Sequence, residues 1–120
     1  MQTTGISLLL ELYDCARLAS SDDRTLAQLF EEALKIAGFE AVDHLAYRFP
    51  GQGVTLIYIL RQSHAALHTW PESNYVSVDV YSCGVPAAVR PALENLCASL
   101  AQKLAAGSVS TRFVERGDLR

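Results

Sequence analysis

The stretch Tyr75-Val76-Ser77-Val78-Asp79-Val80-Tyr81-Ser82 decides the fold, because its valines alternate with Tyr75, Ser77, Asp79 and Tyr81. Successive side chains of a strand point to opposite faces, so this segment is a strand with one apolar face that needs a hydrophobic layer against it. Upstream, Val54 to Leu60 and Ala65 to Trp70 read as strands flanking the Gln62-Ser63 junction. Glu40 to Phe49 precedes them as another strand, closed by the turn Pro50-Gly51-Gln52-Gly53. Gly5 to Tyr13 is leucine-rich and alternates weakly, with Glu11 interrupting its apolar face, and reads as a mostly buried first strand. Val109 to Glu115 is the last.

Two segments carry a different period. Leu26, Leu29, Phe30, Ala33 and Ala37 recur at three- and four-residue steps, which predicts a helix from about Asp22 to Ala37. Ser20, Ser21, Asp22 and Asp23 supply its cap and a negative charge near the positive end of the helix dipole, and Gly38 stops it. A second helix has Pro86 near its start, Val89, Leu93, Leu96, Leu100 and Leu104 as its buried stripe, and Gly107 at its end. Both helices need the same kind of cover, one sheet face. The expected fold is therefore α+β: a two-layer sandwich of an antiparallel sheet with two helices on one face, not a doubly wound α/β fold. Residues 1–120 read as a single domain, with no linker, repeat or low-complexity tract.

Composition narrows the function. Half of the 120 residues are apolar, enough for a core, and the net charge of −3 comes from 13 acidic and 10 basic residues without a basic run. Nucleic acid and anionic membrane surfaces are not expected partners. No apolar run reaches the length of a membrane span and the N-terminus lacks a signal-peptide pattern, so the expected location is cytoplasmic. Cys15, Cys83 and Cys97 are odd in number and lack CxxC spacing, which argues against a disulfide framework and a zinc site; no metal is expected. Cys97 falls on the helix stripe and is expected in the core, Cys15 at a strand end is expected to be inert, and Cys83 before Gly84 is the thiol with a functional context.

The run Ser63-His64-Ala65-Ala66-Leu67-His68-Thr69-Trp70-Pro71-Glu72, with Cys83 beyond it, brings together a hydroxyl, two imidazoles, a carboxylate and a thiol. These are groups able to act as nucleophile, base and acid. His64 and His68 share a strand face. Read singly, Ser63 is a turn serine, His44 a satisfied strand histidine, Phe49 a core side chain and Glu72 a solvated strand-end carboxylate. Read together with Gly53-Val54-Thr55 and with Val78-Asp79-Val80-Tyr81-Ser82-Cys83-Gly84, the run resembles the prokaryotic S-adenosylmethionine decarboxylase proenzymes over nearly the full chain.

That resemblance implies a proenzyme in which Ser63 attacks the carbonyl of Gln62, and an ester and a β-elimination follow. Residues 1–62 and 63–120 then become separate chains, and Ser63 becomes a pyruvoyl cofactor. The pyruvoyl carbonyl forms a Schiff base with the substrate amine and takes up the electrons freed on decarboxylation. His68 is implied as the base that removes the Cα proton, Thr55 as the hydroxyl that holds the backbone carbonyl, and Cys83 as the acid that protonates the product carbon. Phe49 matches an aromatic stacking on adenine, Glu72 a carboxylate on the ribose hydroxyls, and Trp70 covers the site from either protomer. His64 follows the cleavage serine as a structural donor in the turn.

The resemblance further implies a homodimer with its sheets paired as an αββα sandwich, and a product that serves as aminopropyl donor for spermidine synthesis. The chain departs from the family pattern at Gln62, where glutamate is usual, at Tyr47 and Ser7, where histidine is frequent, and at Arg61, an added charge beside the junction. Two alternatives stay open from these departures: a pyruvoyl-dependent ornithine or arginine decarboxylase, and an unprocessed regulatory paralogue.

Overall fold

The computed structural model describes residues 3–117. The chain runs β1 (Gly5–Tyr13), α1 (Asp23–Ile36), β2 (Ala41–Arg48), β3 (Val54–Leu60), β4 (Ser63–Trp70), a short 3-10 helix (Pro71–Ser73), β5 (Tyr75–Cys83), α2 (Pro86–Lys103) and β6 (Ser108–Arg116). The expected elements are all present, and the 3-10 turn is an addition. Ser63 opens β4, two residues earlier than the apolar pattern suggested, because it pairs directly with Leu60 across the β3–β4 hairpin.

In β5 the alternation holds throughout, with Val76, Val78, Val80 and Ser82 buried. β1 corrects the sequence reading: Ile6, Leu8, Leu10 and Leu12 form a strictly alternating buried face, and Glu11 lies on the opposite one. Leu9 had blurred the pattern, since it is apolar yet belongs with Glu11 on the outer face.

At α1, Asp22 is the cap; its carboxylate accepts the Thr25 N–H at 2.8 Å, which holds the carboxyl below its usual range. Leu26, Phe30, Ala33 and Leu34 of α1 and Leu93, Leu96, Cys97 and Leu100 of α2 are buried together with the valine face of β5. Each large apolar side chain withdrawn from water there contributes about 1.5–3 kcal/mol, so this layer is the main stabilising term. α2 ends at Lys103, short of Gly107, after which Ala105 takes a left-handed conformation (φ 52°). Gly107 instead donates its N–H to the Tyr13 carbonyl at 2.9 Å, fastening the start of β6 to β1.

The sheet has six strands in the order β2-β3-β4-β5-β1-β6, and every neighbouring pair is antiparallel. Both helices cover one face. The other is open and carries Leu9, Leu45, Tyr47, Ile57, Ile59 and Trp70, all among the exposed large apolar side chains. Across that face the register aligns Tyr47, Thr55, His68, Ser77, Glu11 and Ser110 in one row spanning all six strands. Among the described residues no helix is long and apolar enough to cross a membrane.

Candidate active site

The residues singled out in the sequence fall into two groups at opposite ends of β4. At one end is the hairpin turn Arg61-Gln62. Gln62 has φ 62°, a left-handed conformation that costs a residue with a Cβ about 1–2 kcal/mol, so the backbone is strained at the junction with Ser63. The Gln62 carbonyl accepts the backbone N–H of Cys83 at 3.4 Å. An N–H aimed at a carbonyl oxygen draws charge onto that oxygen and stabilises the anion formed when the carbon is attacked. Ser63 Oγ lies 3.3 Å from Ser82 Oγ, its cross-strand neighbour. Arg61 points away from this chemistry, pairing with the exposed Glu40 at 3.0 Å.

Cys83 belongs to the same end. Its thiol is donated to the Tyr81 hydroxyl at 3.8 Å, and this contact is the main cause that raises the Tyr81 pKa. The Tyr81 ring stacks on His64 at 5.9 Å and carries the Arg116 guanidinium 5.2 Å above it. Arg116 also donates to Ser7 Oγ at 2.9 Å. Gly84 has φ 135°, a backbone conformation open to glycine, and exchanges hydrogen bonds with Thr4. Cys15 and Cys97 are buried, and burial pushes Cys97 up to about 11, so neither supplies a thiolate near neutrality.

At the other end Thr55 Oγ1 and His68 Nδ1 are 2.9 Å apart. They line a cavity of about 220 Å³ together with Phe49 and Trp70. Gly53 permits this arrangement: a Cβ on it would stand 1.8 Å from the Thr69 carbonyl oxygen, so only glycine lets the two backbones approach here. Tyr47 packs edge-on against Phe49 with ring centroids 4.9 Å apart. His68 and His64 do share the open face, but His64 lies in the strand against Tyr81, not in the turn. His44 stacks on Tyr58 behind the site, as a strand histidine with a structural contact.

Three relationships are not contained in the sequence pattern. His68 is five residues from Ser63 along β4, about 16 Å at roughly 3.3 Å per residue, so within one chain the imidazole does not reach the serine. Glu72 is exposed on the 3-10 turn and is not among the residues lining the cavity. Glu11, Tyr75 and Ser77, which no motif flags, form a hydrogen-bonded group beside Trp70. Strand parity could have placed Glu11 on the open face, but its neighbours depend on pairing between distant segments.

Comparison with known proteins bears on this arrangement. Residues 6–117 match the family model described as S-adenosylmethionine decarboxylase. A relative from Prochlorococcus marinus strain MIT 9313, named S-adenosylmethionine decarboxylase proenzyme, is 36% identical over 112 residues, covering 93% of this chain and 86% of the relative. A second of the same name, from Moorella thermoacetica, is 33% identical, with 98% of this chain and 90% of the relative covered. The crystal structure of the adenosylmethionine decarboxylase from Aquifex aeolicus VF5 superposes with a TM-score of 0.78 at 28% identity, over 100% of this chain and 96% of that one. The chain belongs to the S-adenosylmethionine decarboxylase family.

Proposed function

We propose that the chain is made as a precursor, cuts itself between Gln62 and Ser63, and in the cut form decarboxylates S-adenosylmethionine with a pyruvoyl group formed from Ser63. The observation that carries this is the strained Gln62, whose carbonyl is hydrogen-bonded by the Cys83 N–H, directly before a serine, in a member of this family. Ser63 Oγ bonds to the Gln62 carbonyl carbon as the C–N bond breaks, leaving an ester and a free amine on residue 63. Loss of the Ser63 Cα proton expels the Gln62 carboxylate, which ends chain 1–62. Water then replaces the nitrogen at residue 63, ammonia leaves, and chain 63–120 begins with the pyruvoyl group. That group supplies the electron sink for decarboxylation.

The chain's own residues do the rest. His68 takes the Cα proton, held by Thr55 in the orientation that presents Nε2. Phe49 and Trp70 receive the adenine end of the substrate in the cavity, and Glu72 takes the ribose hydroxyls. Cys83 returns a proton to the product carbon. The decarboxylated product serves spermidine synthesis as aminopropyl donor, in the cytoplasm.

The separation of the two groups along β4 supports a homodimer, sheet on sheet. Beside its polar row the open face leaves Leu9, Leu45, Ile57 and Ile59 exposed, side chains that a second sheet would cover. In such a dimer, a two-fold axis near Ala66, midway along β4, would bring the His68 end of one strand β4 to the Ser63 end of the other. Two complete sites result, each shared.

Denaturing electrophoresis of the purified protein tests the cut: two bands, each roughly half the mass, are expected, and Ser63→Ala should leave one inactive band. An alanine variant that still splits at that bond overturns the serine mechanism. Co-expressing Ser63→Ala with a differently tagged His68→Ala tests sharing, since the His68→Ala chain should be cut when paired and stay whole alone. Release of carbon dioxide from ornithine or arginine, and none from S-adenosylmethionine, would refute the substrate.

A further inference from the structure

Within one protomer Trp70 is 41% exposed, so packing of its own chain does not enclose the ring. What fixes it is a stack. Trp70 ends β4 and stands directly opposite Tyr75, the first residue of β5, with ring centroids 4.9 Å apart and planes 27° apart. On its other side Tyr75 stacks on Tyr13 of β1 at 5.4 Å and 13°. Tyr75 is thus the middle plate of three, and the position of Trp70 follows from that of Tyr75.

Tyr75 is held in turn by its hydroxyl, which donates to Glu11 Oε2. The other carboxylate oxygen, Oε1, accepts the Ser77 hydroxyl at 2.8 Å. With both oxygens engaged from β5, the carboxylate has little freedom to turn. Hydrogen bonds to an ionised acceptor are roughly twice as strong as neutral ones. The acid stands between Ser77 of β5 and Ser110 of β6, its cross-strand neighbours, and of these Ser77 shares the carboxylate with Tyr75. It anchors a phenol, the phenol carries an indole, and the indole faces the cavity that also contains His68 and Phe49.

We infer that Glu11 is a positioning residue for substrate binding, its carboxylate acting through Tyr75 to hold Trp70 in place as one wall of the cavity at the end of β4. The inference rests on the reading of that cavity as the place where substrate binds. Placement of a ring within a fraction of an ångström matters to the affinity of whatever packs on it. Tyr75→Phe keeps the three rings and removes the anchor; Glu11→Gln approaches the same link from the acid side and leaves one hydroxyl facing an amide N–H₂.

Trp70 is the single tryptophan of the chain, so its emission reports the stack without any assay of turnover. In both variants, self-cleavage should be intact on a gel. Excited beyond the tyrosine absorption, Trp70 should emit further to the red and be quenched more readily by acrylamide. The Michaelis constant for S-adenosylmethionine should rise about three- to tenfold while kcat changes by less than about twofold, the split expected when binding alone is disturbed. Trp70→Leu, assayed alongside, separates the two levels. If it raises the Michaelis constant while Tyr75→Phe and Glu11→Gln leave emission and Michaelis constant at wild-type values, the anchor is overturned and the cavity reading stands. Altered emission with an unchanged Michaelis constant overturns it as well. If Trp70→Leu binds substrate like wild type, the wall itself is wrong, and the role given to Glu11 falls with it.

Discussion

Thr55→Val removes one hydroxyl and keeps the β-branched shape that suits a strand. The hydroxyl lies 2.9 Å from His68 Nδ1 and is its partner on β3. Thr55 is half-buried on the open face, so valine neither opens a hole in the helix-side core nor buries an unpaired group: the freed imidazole nitrogen can still meet water. The loss is thus that of an ordinary hydrogen bond, about 0.5–1.5 kcal/mol, or about two- to tenfold in the share of His68 held in one orientation. Cleavage requires that orientation if His68 removes the proton, so the half-time of self-cleavage should lengthen by about two- to tenfold. His68→Asn, which removes the base outright, should slow it by about a hundredfold or more. Precursor captured early and followed by loss of the full-length band gives both half-times. An unchanged half-time in Thr55→Val would refute the positioning argument. A loss as large as that of His68→Asn would place the hydroxyl on the reacting carbonyl instead.

Cys83→Ala keeps the backbone N–H that contacts the Gln62 carbonyl, so this variant should be cut normally yet lose most turnover, with part of the enzyme inactivated by amine transfer to the pyruvoyl group; a fully cut sample with wild-type turnover would remove the thiol from the mechanism. Glu72→Gln should raise the Michaelis constant for S-adenosylmethionine about ten- to a hundredfold, the effect of losing a hydrogen bond to a charged group, with cleavage intact; steady-state kinetics on the cut protein decides this. Tyr58 is fully buried between Phe30 and the Glu31 side, and burial first, then the Glu31 charge, pushes its phenol up to about 12. The neutral phenol is favoured by folding, so its contribution is complete below the ordinary tyrosine value of about 10 and is lost as pH rises from there through about 12. Urea midpoints should therefore fall more steeply over that window in wild type than in Tyr58→Phe, and parallel curves would count against it.

The sequence was legible where a local period governed the outcome. The valines of β5 and the stripe from Leu26 to Ala33 predicted their elements because one side of each must leave water, whatever its partner. β1 was harder, since Leu9 is apolar on the outer face and disguised the position of Glu11. The end of α2 was misjudged because Gly107 is a common stop signal, whereas Ala105 accepted the left-handed turn first and left the glycine for the contact with Tyr13. Of the site, the residue types in the run from Ser63 to Cys83 were legible, but not their grouping. That Ser63 neighbours Ser82 while His68 neighbours Ser77 follows from a register between strands, which no local rule contains.

The strand order carries a consequence for a molecule cut as proposed between Gln62 and Ser63. The first piece would own β1, β2 and β3 and the second β4, β5 and β6, and in the sheet these alternate: β1 is gripped between β5 and β6, while β4 and β5 fill the gap between β3 and β1. The halves are laced together like the fingers of two hands. A precursor that unfolds can find its way back alone, at any dilution. A cut molecule that unfolds becomes two solutes that must meet again, and its recovery then depends on concentration. On this reading folding comes first and cutting second, and the cut turns a fold that one chain recovers by itself into one that two pieces recover only by meeting.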